Sequence, residues 1–522
     1  MDLSKLLESI DVRAEKGYET DGNIKKLAYH SSRVEPDTLF VCIRGFQIDG
    51  HDYAGYAEKH GAAAIVVERF IPDITIPQFL VADSRKALAQ LSDSFYEKPS
   101  RFMRLFGVTG TNGKTTITYM TDAVFRAYEL KTGLIGTIMV KYDDVMMPSV
   151  LTTPESLDLQ KHLADMRDKN ISHVSMEVSS SALELQRVAN VAFDVAAFIN
   201  ISRDHIDLHG SYEAYFNAKA SFIREASKDS VAVLNIDEPS LQKLTSETKA
   251  QVITFGIENT TGHLSVSDID LSSGTPECTV HLNKPIKTLG GSEVSPTSFR
   301  LHLAVLGRFS IYNALTAIAA GLVNAIPVDI IKQALEGFKG VERRFQLIYN
   351  DEFMIIDDLM LNENNIDSSM ATIEALDYDS VHFVHAVRGN RGASINRENA
   401  ENMADWFKRL NIKQIILTAS RSHVDKLNRV TEEEIKAYSD AMKSRGITVD
   451  FYQELPDALS AGLSKIKTGD LLMITGAHGM DYGTKLTLNA LLERRADVNR
   501  DAIKDVLNRK VIGIKAVDPI IH

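Results

Sequence analysis

The sequence predicts an α/β protein of three domains, with a central doubly wound, mostly parallel sheet between two flanking α/β domains. Its 522 residues correspond to about three domains of ordinary size. Between residues 101 and 340, short apolar runs alternate with helical patterns, which is typical of parallel βαβ units. A second alternating series follows. We therefore expect domains at residues 1–100, 101–342 and 343–522.

The composition excludes several classes of protein. The net charge of -12 does not favour a nucleic-acid partner. Two cysteines, Cys42 and Cys278, cannot form a disulfide framework and suit a reducing compartment. The N-terminus has acidic residues and no apolar segment of signal-peptide length, and no apolar run approaches the ~20 residues of a membrane span. We expect a cytoplasmic protein without membrane insertion.

In the first domain, three apolar runs predict buried strands at residues 39–43, 62–68 and 79–83. A helical segment follows and is expected to end at Pro99, close to the domain boundary. The segment contains no recognisable metal-binding or nucleophilic cluster. Its chemistry supports a binding role and nothing more.

The central domain opens on the stretch FGVTGTNGKTTI, residues 106–117. An apolar run that includes Phe102 predicts a buried strand before it, and residues 117–128 have a helical pattern. Backbone N–H groups and the helix dipole would then face an anion, with Lys114 on the terminal phosphates and the Thr115 hydroxyl on Mg²⁺. The spacing is one residue longer than the usual pattern. We predict a nucleoside-triphosphate site; the alternative is a fortuitous glycine turn.

Further polar residues follow the predicted strands of this domain, where open α/β sheets bind ligands. Glu177 ends the run SHVSMEV and suits Mg²⁺, although it could equally be an N-terminal carboxylate of the next helix. The next strand ends in a polar cluster that suits a metal or phosphate, or is a polar loop without a role. The cluster comprises Asp204, His205, Asp207 and His209.

A helix is predicted from Ser211, and its apolar stripe carries a lysine. Tyr215, Lys219 and Phe222 have the spacing i, i+4, i+7 and so share one face. A lysine on an inward face is costly unless it is paired or neutral, and a neutral amine could react with CO₂ to give a carbamate that binds a second Mg²⁺. Alternatively, the lysine extends from the stripe to solvent.

The rest of the chain predicts further strands and one insertion. Central strands are expected near residues 104–109, 132–136, 171–178, 193–199 and 230–235, with a small antiparallel insertion between 250 and 306 and a helix over 310–323. Third-domain strands are expected in FMIIDD, SVHFVHA, KQIILTA, ITVDFY and DLLMITG, and no role is assigned to residues 496–522.

Together these segments resemble the Mur ligase family, and within it the MurE type. HSSRVEPDTLFVCIRGFQIDGHDYA resembles the family's uridine-binding domain, and GVTGTNGKTT its phosphate loop. LTTPE, MEVSSSALELQRV, DHIDLHG, LNIDE, LGRFSIYNALTA and VERRF resemble further family motifs, so the likeness runs from about Ser31 to Arg344. The resemblance implies an ATP- and Mg²⁺-dependent ligase of peptidoglycan precursor synthesis that acts on UDP-N-acetylmuramoyl-L-alanyl-D-glutamate, and a monomer.

The resemblance also implies roles for individual residues. Lys114, Lys219 and Arg187 are the implied catalytic residues, with Lys219 carbamylated. The implied ATP-binding residues are Gly110, Thr111, Asn112, Gly113, Lys114, Thr115, Thr116, Asn313 and Arg344. The implied metal ligands are Thr115, Glu177, His205 and Lys219. The implied substrate-binding residues are Ser32, Thr152, Thr153, Ser179 and Arg187.

The sequence departs from the family pattern chiefly in the third domain. Ser181 replaces a usual histidine in the central domain, and Leu185 stands where a polar substrate contact is common. In the third domain Met360 replaces a histidine, the amino-acid-selecting motif reads SRSH, and the last motif reads GAHGM, ending at Met480. The part expected to hold the incoming amine is therefore rewritten, and the sequence does not identify that amine.

In the family reaction, the acceptor's carboxylate takes the γ-phosphate of ATP, and an amine then captures the acyl phosphate. Three hypotheses follow for this chain. It is a ligase of the muramoyl dipeptide or a close relative, a ligase with the same chemistry on another carboxylate in a specialised pathway, or a nucleotide- or UDP-sugar-binding protein without catalysis. The intact Glu177 and Lys219 argue against the third hypothesis.

Overall fold

The computed structural model describes residues 1–17, 22–45, 48–202, 209–272, 274–495 and 498–508. Its strands form one principal sheet in each predicted domain and a separate two-stranded ribbon in the second. The three principal sheets have five, eleven and six strands. The chain therefore has the α/β architecture that the sequence predicts.

The first domain contains a five-stranded sheet in the order β1-β5-β4-β3-β2, with only β1 antiparallel to its neighbour. Its strands are β1 (Ala14–Lys16), β2 (Lys26–Ala28), β3 (Thr38–Val41), β4 (Ala62–Val67) and β5 (Gln78–Leu80). Its helices are α1 (Leu3–Leu7), α2 (Ala54–Lys59) and α3 (Ser84–Phe95). The three strands predicted from apolar runs correspond to β3, β4 and β5.

The central domain has an eleven-stranded sheet in the order β18-β15-β14-β13-β12-β11-β6-β10-β7-β8-β9. The principal strands are β6 (Arg104–Thr109), β7 (Thr132–Ile135), β8 (Met139–Tyr142), β9 (Val145–Pro148), β10 (His173–Glu177), β11 (Val195–Phe198), β12 (Val231–Asn235), β13 (Gln251–Phe255), β14 (Leu264–Asp270), β15 (Glu277–Leu282) and β18 (Thr297–His302). The ribbon is β16 (Ile286–Lys287) with β17 (Glu293–Val294).

Helices cover both faces of the parallel strands, as a doubly wound sheet requires. They are α4 (Lys114–Ala127), α5 (Ser156–Asp168), α6 (Ser180–Glu184), α7 (Tyr212–Arg224), α8 (Pro239–Gln242), α9 (Phe309–Val323) and α10 (Val328–Glu336). Residues of α4, α9 and α10 share one buried cluster with the sheet, and residues of α5 and α7 share the other. Side chains at alternate positions of these strands belong to one cluster or the other, on opposite faces of the sheet. Because both faces are buried, the strand sequences are continuous apolar runs.

The C-terminal domain repeats this architecture with a six-stranded sheet in the order β19-β20-β24-β21-β22-β23, in which only β19 is antiparallel. The strands are β19 (Gln346–Asn350), β20 (Met354–Asp358), β21 (Val381–Ala386), β22 (Gln414–Thr418), β23 (Thr448–Tyr452) and β24 (Leu471–Gly476). The helices are α11 (Glu363–Glu374), α12 (Ala393–Arg409), α13 (Glu432–Ser444), α14 (Leu455–Lys465), α15 (Gly483–Arg494) and α16 (Arg500–Asn508).

Three local predictions are wrong. Phe102, predicted within a buried strand, is 65% exposed in a 3-10 turn before β6, beneath the Arg167 guanidinium. Helix α3 ends at Phe95 rather than at Pro99, because Glu97 and Lys98 adopt left-handed conformations. The segment QVITFG forms β13, which pairs in parallel with β12, because α8 carries the chain across one face of the sheet; the antiparallel region begins only at β14.

Candidate functional site

The glycine-rich loop leaves the carboxyl end of β6 and enters α4. The Asn200 side chain, which follows β11, accepts hydrogen bonds from the backbone N–H groups of Thr111 and Asn112 at 2.9 and 3.0 Å. Gly113 has φ +83, and a Cβ there would lie 2.6 Å from Asn313 Oδ1. This position therefore requires glycine both for its backbone conformation and for the close approach of α9.

Lys114 is the first residue of α4, so its amine lies at the N-terminal end of the helix. The amine donates hydrogen bonds to the carbonyl oxygens of Gly110 and Thr111, at 2.9 Å each. These oxygens belong to the loop itself. A short rotation of the side chain would move the charge from these carbonyls to an anion held over the same loop.

Glu177 ends β10, next to β6, and is 1% exposed. Its carboxylate accepts a hydrogen bond from the Thr115 hydroxyl at 3.0 Å, and others from the backbone N–H and hydroxyl of Thr137 at 2.7 and 3.0 Å. The next helix is capped by Ser179 and not by Glu177, which excludes the capping role. A buried carboxylate beside a threonine hydroxyl offers the hard oxygen ligands that Mg²⁺ prefers.

Lys219 extends from α7 beneath the glycine-rich loop and is 1% exposed, which excludes the alternative in which it reaches solvent. Its amine donates to the Gly110 carbonyl at 2.8 Å and lies 4.9 Å from the centre of the Tyr215 ring. The Tyr215 hydroxyl lies 3.1 Å from the Thr111 hydroxyl. The lysine on the inward stripe is thus brought to the same loop as Lys114.

The predicted substrate residues meet at one side of this loop. Thr153 is completely buried; its hydroxyl donates to the Glu177 carbonyl at 2.8 Å and accepts from the Ser179 backbone N–H at 3.1 Å. The Thr152 hydroxyl lies 3.1 Å from that of Thr137. A cavity of about 170 Å³ lies here, lined by Lys114, Leu151, Thr152, Ser179, Ser180, Ser181, Arg187, Tyr215 and Lys219.

Arg187 contributes a guanidinium to this cavity. Its Nη1 donates to the Thr153 carbonyl at 3.3 Å, and its Nη2 lies 2.8 Å from the Glu155 carboxylate. Its buried Nε–H has no hydrogen-bond acceptor among the described residues. The guanidinium is therefore oriented by Thr153 and Glu155 at the wall of the cavity.

Two further residues, Asn313 and Arg344, are predicted to contact the nucleotide outside the glycine-rich loop. Asn313 is 4% exposed on α9, and its Nδ2 has no partner among the described residues. Arg344 follows the linker between the second and third domains; burial lowers the pKa of its guanidinium, while the carboxylates of Glu177 and Asp358 raise it. The charge of Arg344 thus acts on the edge of the sheet that carries Glu177.

Among the predicted residues that the structure describes, Ser32 is not brought into this cluster. Ser32 is exposed in a 3-10 turn of the first domain, with its hydroxyl 2.8 Å from His30 Nδ1. His205 lies outside the described residues, as do Asp204 and Asp207. Within the described part of the chain, no group of three His, Cys, Asp or Glu side chains is arranged to hold a metal, so His205 as a metal ligand stays a prediction.

Met360 and Met480, two of the rewritten residues of the C-terminal domain, are buried, whereas Arg421 and Ser422 of the SRSH segment are exposed. Met360 is 3% exposed in the cluster that includes Phe345 and Ile366. Met480 is fully buried in the second cluster of this domain. The side chains that replace the family's polar ones at these positions therefore contribute to packing.

Three residues at this edge were missed by the sequence analysis. Thr137 and Asn200 follow β7 and β11, strands on either side of the β6–β10 pair, and could have been found from the strand order. Asn365, in the first turn of α11, donates to the Asn112 side chain at 2.6 Å across the domain boundary. No local pattern in the sequence indicates that contact.

Comparison with known proteins places these features in a family. The family model for the Mur ligase middle domain matches residues 108–321, that for the Mur ligase catalytic domain matches 23–96, and that for the Mur ligase glutamate ligase domain matches 343–478. The third match extends the likeness past Arg344, where the recognisable motifs stop. None of the described helices is long and apolar enough to cross a membrane.

Curated relatives are similar over most of the chain. A UDP-N-acetylmuramoyl-L-alanyl-D-glutamate--2,6-diaminopimelate ligase from Bacillus velezensis is 32% identical over 92% of this chain and 95% of its own length. Its namesake from Listeria monocytogenes is 33% identical over 92% of this chain and 94% of its own length. That from Geobacillus kaustophilus is 36% identical over 71% of this chain and 75% of its own length.

Solved structures share the fold at lower identity. A structure of a UDP-N-acetylmuramoyl-L-alanyl-D-glutamate--2,6-diaminopimelate ligase aligns with a TM-score of 0.61 at 20% identity, over 88% of this chain and 91% of that one. The MurF ligase from Thermotoga maritima in complex with ADP aligns with a TM-score of 0.59 at 20% identity, over 92% and 98% of the two chains.

Proposed function

This chain belongs to the Mur ligase family, and on that premise we propose that it is an ATP-dependent ligase that joins an amine to the carboxylate of UDP-N-acetylmuramoyl-L-alanyl-D-glutamate. The curated relatives named for this acceptor support the choice of substrate. The reaction would consume ATP and release ADP and phosphate, in the synthesis of a peptidoglycan precursor.

The observation that carries the proposal is the convergence of four side chains at the carboxyl edge of the central sheet. Thr115 and Glu177 lie 3.0 Å apart at the start of α4, and Lys114 and Arg187 line the adjoining cavity. A phosphate loop beside a cavity that is lined by a guanidinium can hold the γ-phosphate of ATP next to a carboxylate. That is the arrangement that phosphoryl transfer to an acceptor carboxylate needs.

In the proposed reaction a carboxylate oxygen of the acceptor attacks the γ-phosphorus and ADP leaves. The amine nitrogen then attacks the acyl carbon, the carbon–oxygen bond to the phosphate breaks, and the nitrogen loses a proton. Lys114 and the loop N–H groups would stabilise the charge on the transferring phosphoryl group. Arg187 would orient the acceptor through its carboxylate.

The residues at the β10 edge fit a magnesium ion, because Glu177 is a buried carboxylate whose partners include the Thr115 hydroxyl. Thr115 and Glu177 would hold one ion, and His205 with a carbamate on Lys219 a second; bound Mg²⁺ neutralises phosphate charge. Lys219 would gain the carbamate by attack of its neutral amine on CO₂ with loss of a proton. The burial of Lys219 beneath the glycine-rich loop supports this role, because it places the amine beside the proposed phosphate site.

The C-terminal domain would deliver the amine. The hydrogen bond from Asn365 to Asn112 supports this, because it joins the first turn of α11 to the loop that would hold the phosphates. Contact of the two domains would exclude water, which otherwise hydrolyses an acyl phosphate. The protein would act without a nucleic-acid partner and as a monomer.

A second candidate keeps this chemistry but uses another carboxylate or a different amine in a specialised pathway. The burial of Met360 and Met480 supports it, because side chains that face the core cannot select an amine as polar ones would. A third candidate, a nucleotide- or UDP-sugar-binding protein without catalysis, has less support, since Lys114 and Lys219 both contact the glycine-rich loop and Glu177 contacts Thr115.

The test is ADP release from Mg-ATP with UDP-N-acetylmuramoyl-L-alanyl-D-glutamate, across a panel of amino acids that includes diaminopimelate and lysine. We expect one amine to stimulate release and to give a product of matching mass. Stimulation only with another carboxylate would favour the second candidate. ATP binding without phosphate release under any condition would favour the third.

A further inference from the structure

The Glu155 carboxylate contacts both an arginine of the first domain and Arg187, which lines the cavity beside the glycine-rich loop. Glu155 Oε1 lies 2.8 Å from Arg187 Nη2, and Glu155 Oε2 lies 3.8 Å from Arg85 Nη1. We propose that Glu155 is a positioning residue. It links the position of the first domain relative to the central domain to the orientation of the Arg187 guanidinium. The inference rests on the proposed function in that Arg187 is taken to bind the acceptor's carboxylate.

The surroundings of Arg187 favour a positioning role over a simple surface ion pair. The side chains of Arg187 and Glu155 are only 11% and 15% exposed. One face of the guanidinium is fixed by Glu155 and by the Thr153 carbonyl, while its buried Nε–H has no acceptor among the described residues. A guanidinium held in a fixed orientation at the wall of a cavity can select a carboxylate geometry at little entropic cost.

The other oxygen of Glu155 faces the first domain. Arg85 lies in the first turn of α3, which packs against α5. Leu157, two residues after Glu155, is buried in the core cluster of the first domain together with Leu88 and Leu91 of α3. The chain segment that carries Glu155 is therefore docked into the first domain, although it belongs to the central one.

This arrangement gives a route from the remote end of the substrate to its reacting end. The resemblance of the first domain to the family's uridine-binding domain implies that it holds the uridine part of the acceptor, and in the proposed function Arg187 holds the carboxylate. Binding energy from a remote part of a substrate accelerates a reaction only if it improves the position of the reacting group. Glu155 connects the two positions through two ion pairs, one with Arg187 and one with Arg85.

The first experiment compares the kinetics of Glu155→Gln with the wild type. The substitution keeps the size of the side chain but removes the charge that orients Arg187. We expect the KM for UDP-N-acetylmuramoyl-L-alanyl-D-glutamate to rise about tenfold, because a largely buried ion pair that orients the guanidinium is lost. The KM for ATP should not change. An unchanged acceptor KM would overturn the proposal.

Asp158→Asn is the matched control. Asp158 lies one turn further along α5 and also binds the first domain, through the Tyr29 hydroxyl at 2.6 Å and Arg33 at 2.9 Å, but the structure shows no contact of its own with Arg187 among the described residues. We expect its acceptor KM to change by less than about threefold, as for a largely exposed ion pair. A tenfold effect in this variant too would mean that domain docking alone is responsible.

A double-mutant cycle tests the order of the coupling. If Arg85 acts through Glu155, Arg85→Ala should raise the acceptor KM in the wild-type background and add nothing to Glu155→Gln. Full additivity of the two effects would contradict the coupling.

A chemical measurement keeps the inference falsifiable if this acceptor is wrong. The rate at which phenylglyoxal modifies Arg187 can be followed by peptide mass mapping without any substrate. We expect several-fold faster modification in Glu155→Gln than in the wild type or Asp158→Asn, because the guanidinium must leave its ion pair to react. An equal rate would overturn the inference. The expected rate difference, with no amine stimulating ADP release, would instead refute the proposed acceptor alone.

Discussion

The loop between β6 and α4 and the loops that follow the strands of the C-terminal domain are built on similar sheets but differ in what their side chains do. In the first, Lys114, Thr115 and Glu177 are held by short polar contacts, and Lys114 lines the adjoining cavity. In the second, the Met360 and Met480 side chains are buried in hydrophobic clusters. Both regions lie at the carboxyl edges of parallel strands, where α/β folds bind ligands.

The difference teaches that the two halves of a ligation place unequal demands on a fold. Transfer of a phosphoryl group needs a cation, N–H donors and hard oxygen ligands, whatever the final product is. Recognition of an amine needs only shape and charge complementarity to that amine. One region can therefore keep a recognisable motif while the other changes within the same architecture.

The largest expected effect breaks the first region directly. Lys114→Ala should lower ATP turnover by about 10²–10³-fold, because it removes the charge at the N-terminus of α4 that would face the phosphates. ADP release at saturating ATP measures this. Lys228→Ala, which changes an exposed lysine of the same domain, should leave turnover unchanged. Full activity of Lys114→Ala would mean that the phosphate loop is misassigned.

Lys219→Ala tests the buried lysine of the same region. Activity should fall by about 10²-fold or more, since a carbamate that would hold a metal ion can no longer form. Short carboxylic acids added to this variant should restore part of the activity by occupying the vacated space. Unchanged turnover would refute the carbamate role, and loss without rescue would leave Lys219 with a role in packing only.

The pH dependence of stability tests the burial of His385 in the C-terminal domain. This histidine is completely buried at the end of β21, where burial lowers its pKa to about 3, and its Nδ1 lies 2.9 Å from the Thr475 hydroxyl. In the unfolded chain the pKa of His385 is near 6.5, so below that pH the unfolded chain binds a proton that the folded chain does not bind. The free energy of unfolding therefore falls as the pH drops from about 6.5 to 3.

At pH 5 this effect amounts to about 2 kcal/mol relative to pH 7. Urea denaturation of His385→Gln at both pH values should show a correspondingly smaller loss of stability for the C-terminal domain. His382→Gln, at a partly exposed histidine of the same strand, is the matched control and should retain the wild-type loss. Equal acid sensitivity of all three proteins would contradict this assignment.

Asn365→Ala sharpens the comparison where the two regions meet. Loss of the hydrogen bond to Asn112 should cost about 1 kcal/mol, and so reduce kcat/KM for ATP about fivefold. Asn402→Ala removes hydrogen bonds made only within the C-terminal domain and should have no such effect. If the two variants behave alike, the contact between the domains does not contribute to turnover.

Much of this organisation could be predicted because local signals agree with the fold. The apolar runs that became β6, β10, β11 and β12 are buried on both faces, so their pattern indicates parallel strands without further information. The stripe of Tyr215, Lys219 and Phe222 predicted an inward lysine, and all three side chains are buried.

What could not be predicted depends on contacts between distant segments. The strand order alone brings Thr137 to Glu177 and Asn200 to the glycine-rich loop. The contact of Asn365 with Asn112 joins residues 253 positions apart. Phe102 reads as part of a strand, but left-handed residues before it and Arg167 above it hold it in an exposed turn. Such tertiary effects override local propensity.

The central claim is that the acceptor's carboxylate is activated by phosphoryl transfer, and transfer of ¹⁸O tests it most directly. The acceptor would be labelled in the reacting carboxylate and incubated with Mg-ATP and the amine that stimulates ADP release. The account predicts one ¹⁸O atom in each phosphate released, because the carboxylate oxygen leaves with the phosphoryl group when the amide forms. Phosphate without the label, released together with ADP, would mean that water attacks ATP directly and would contradict the ligase mechanism.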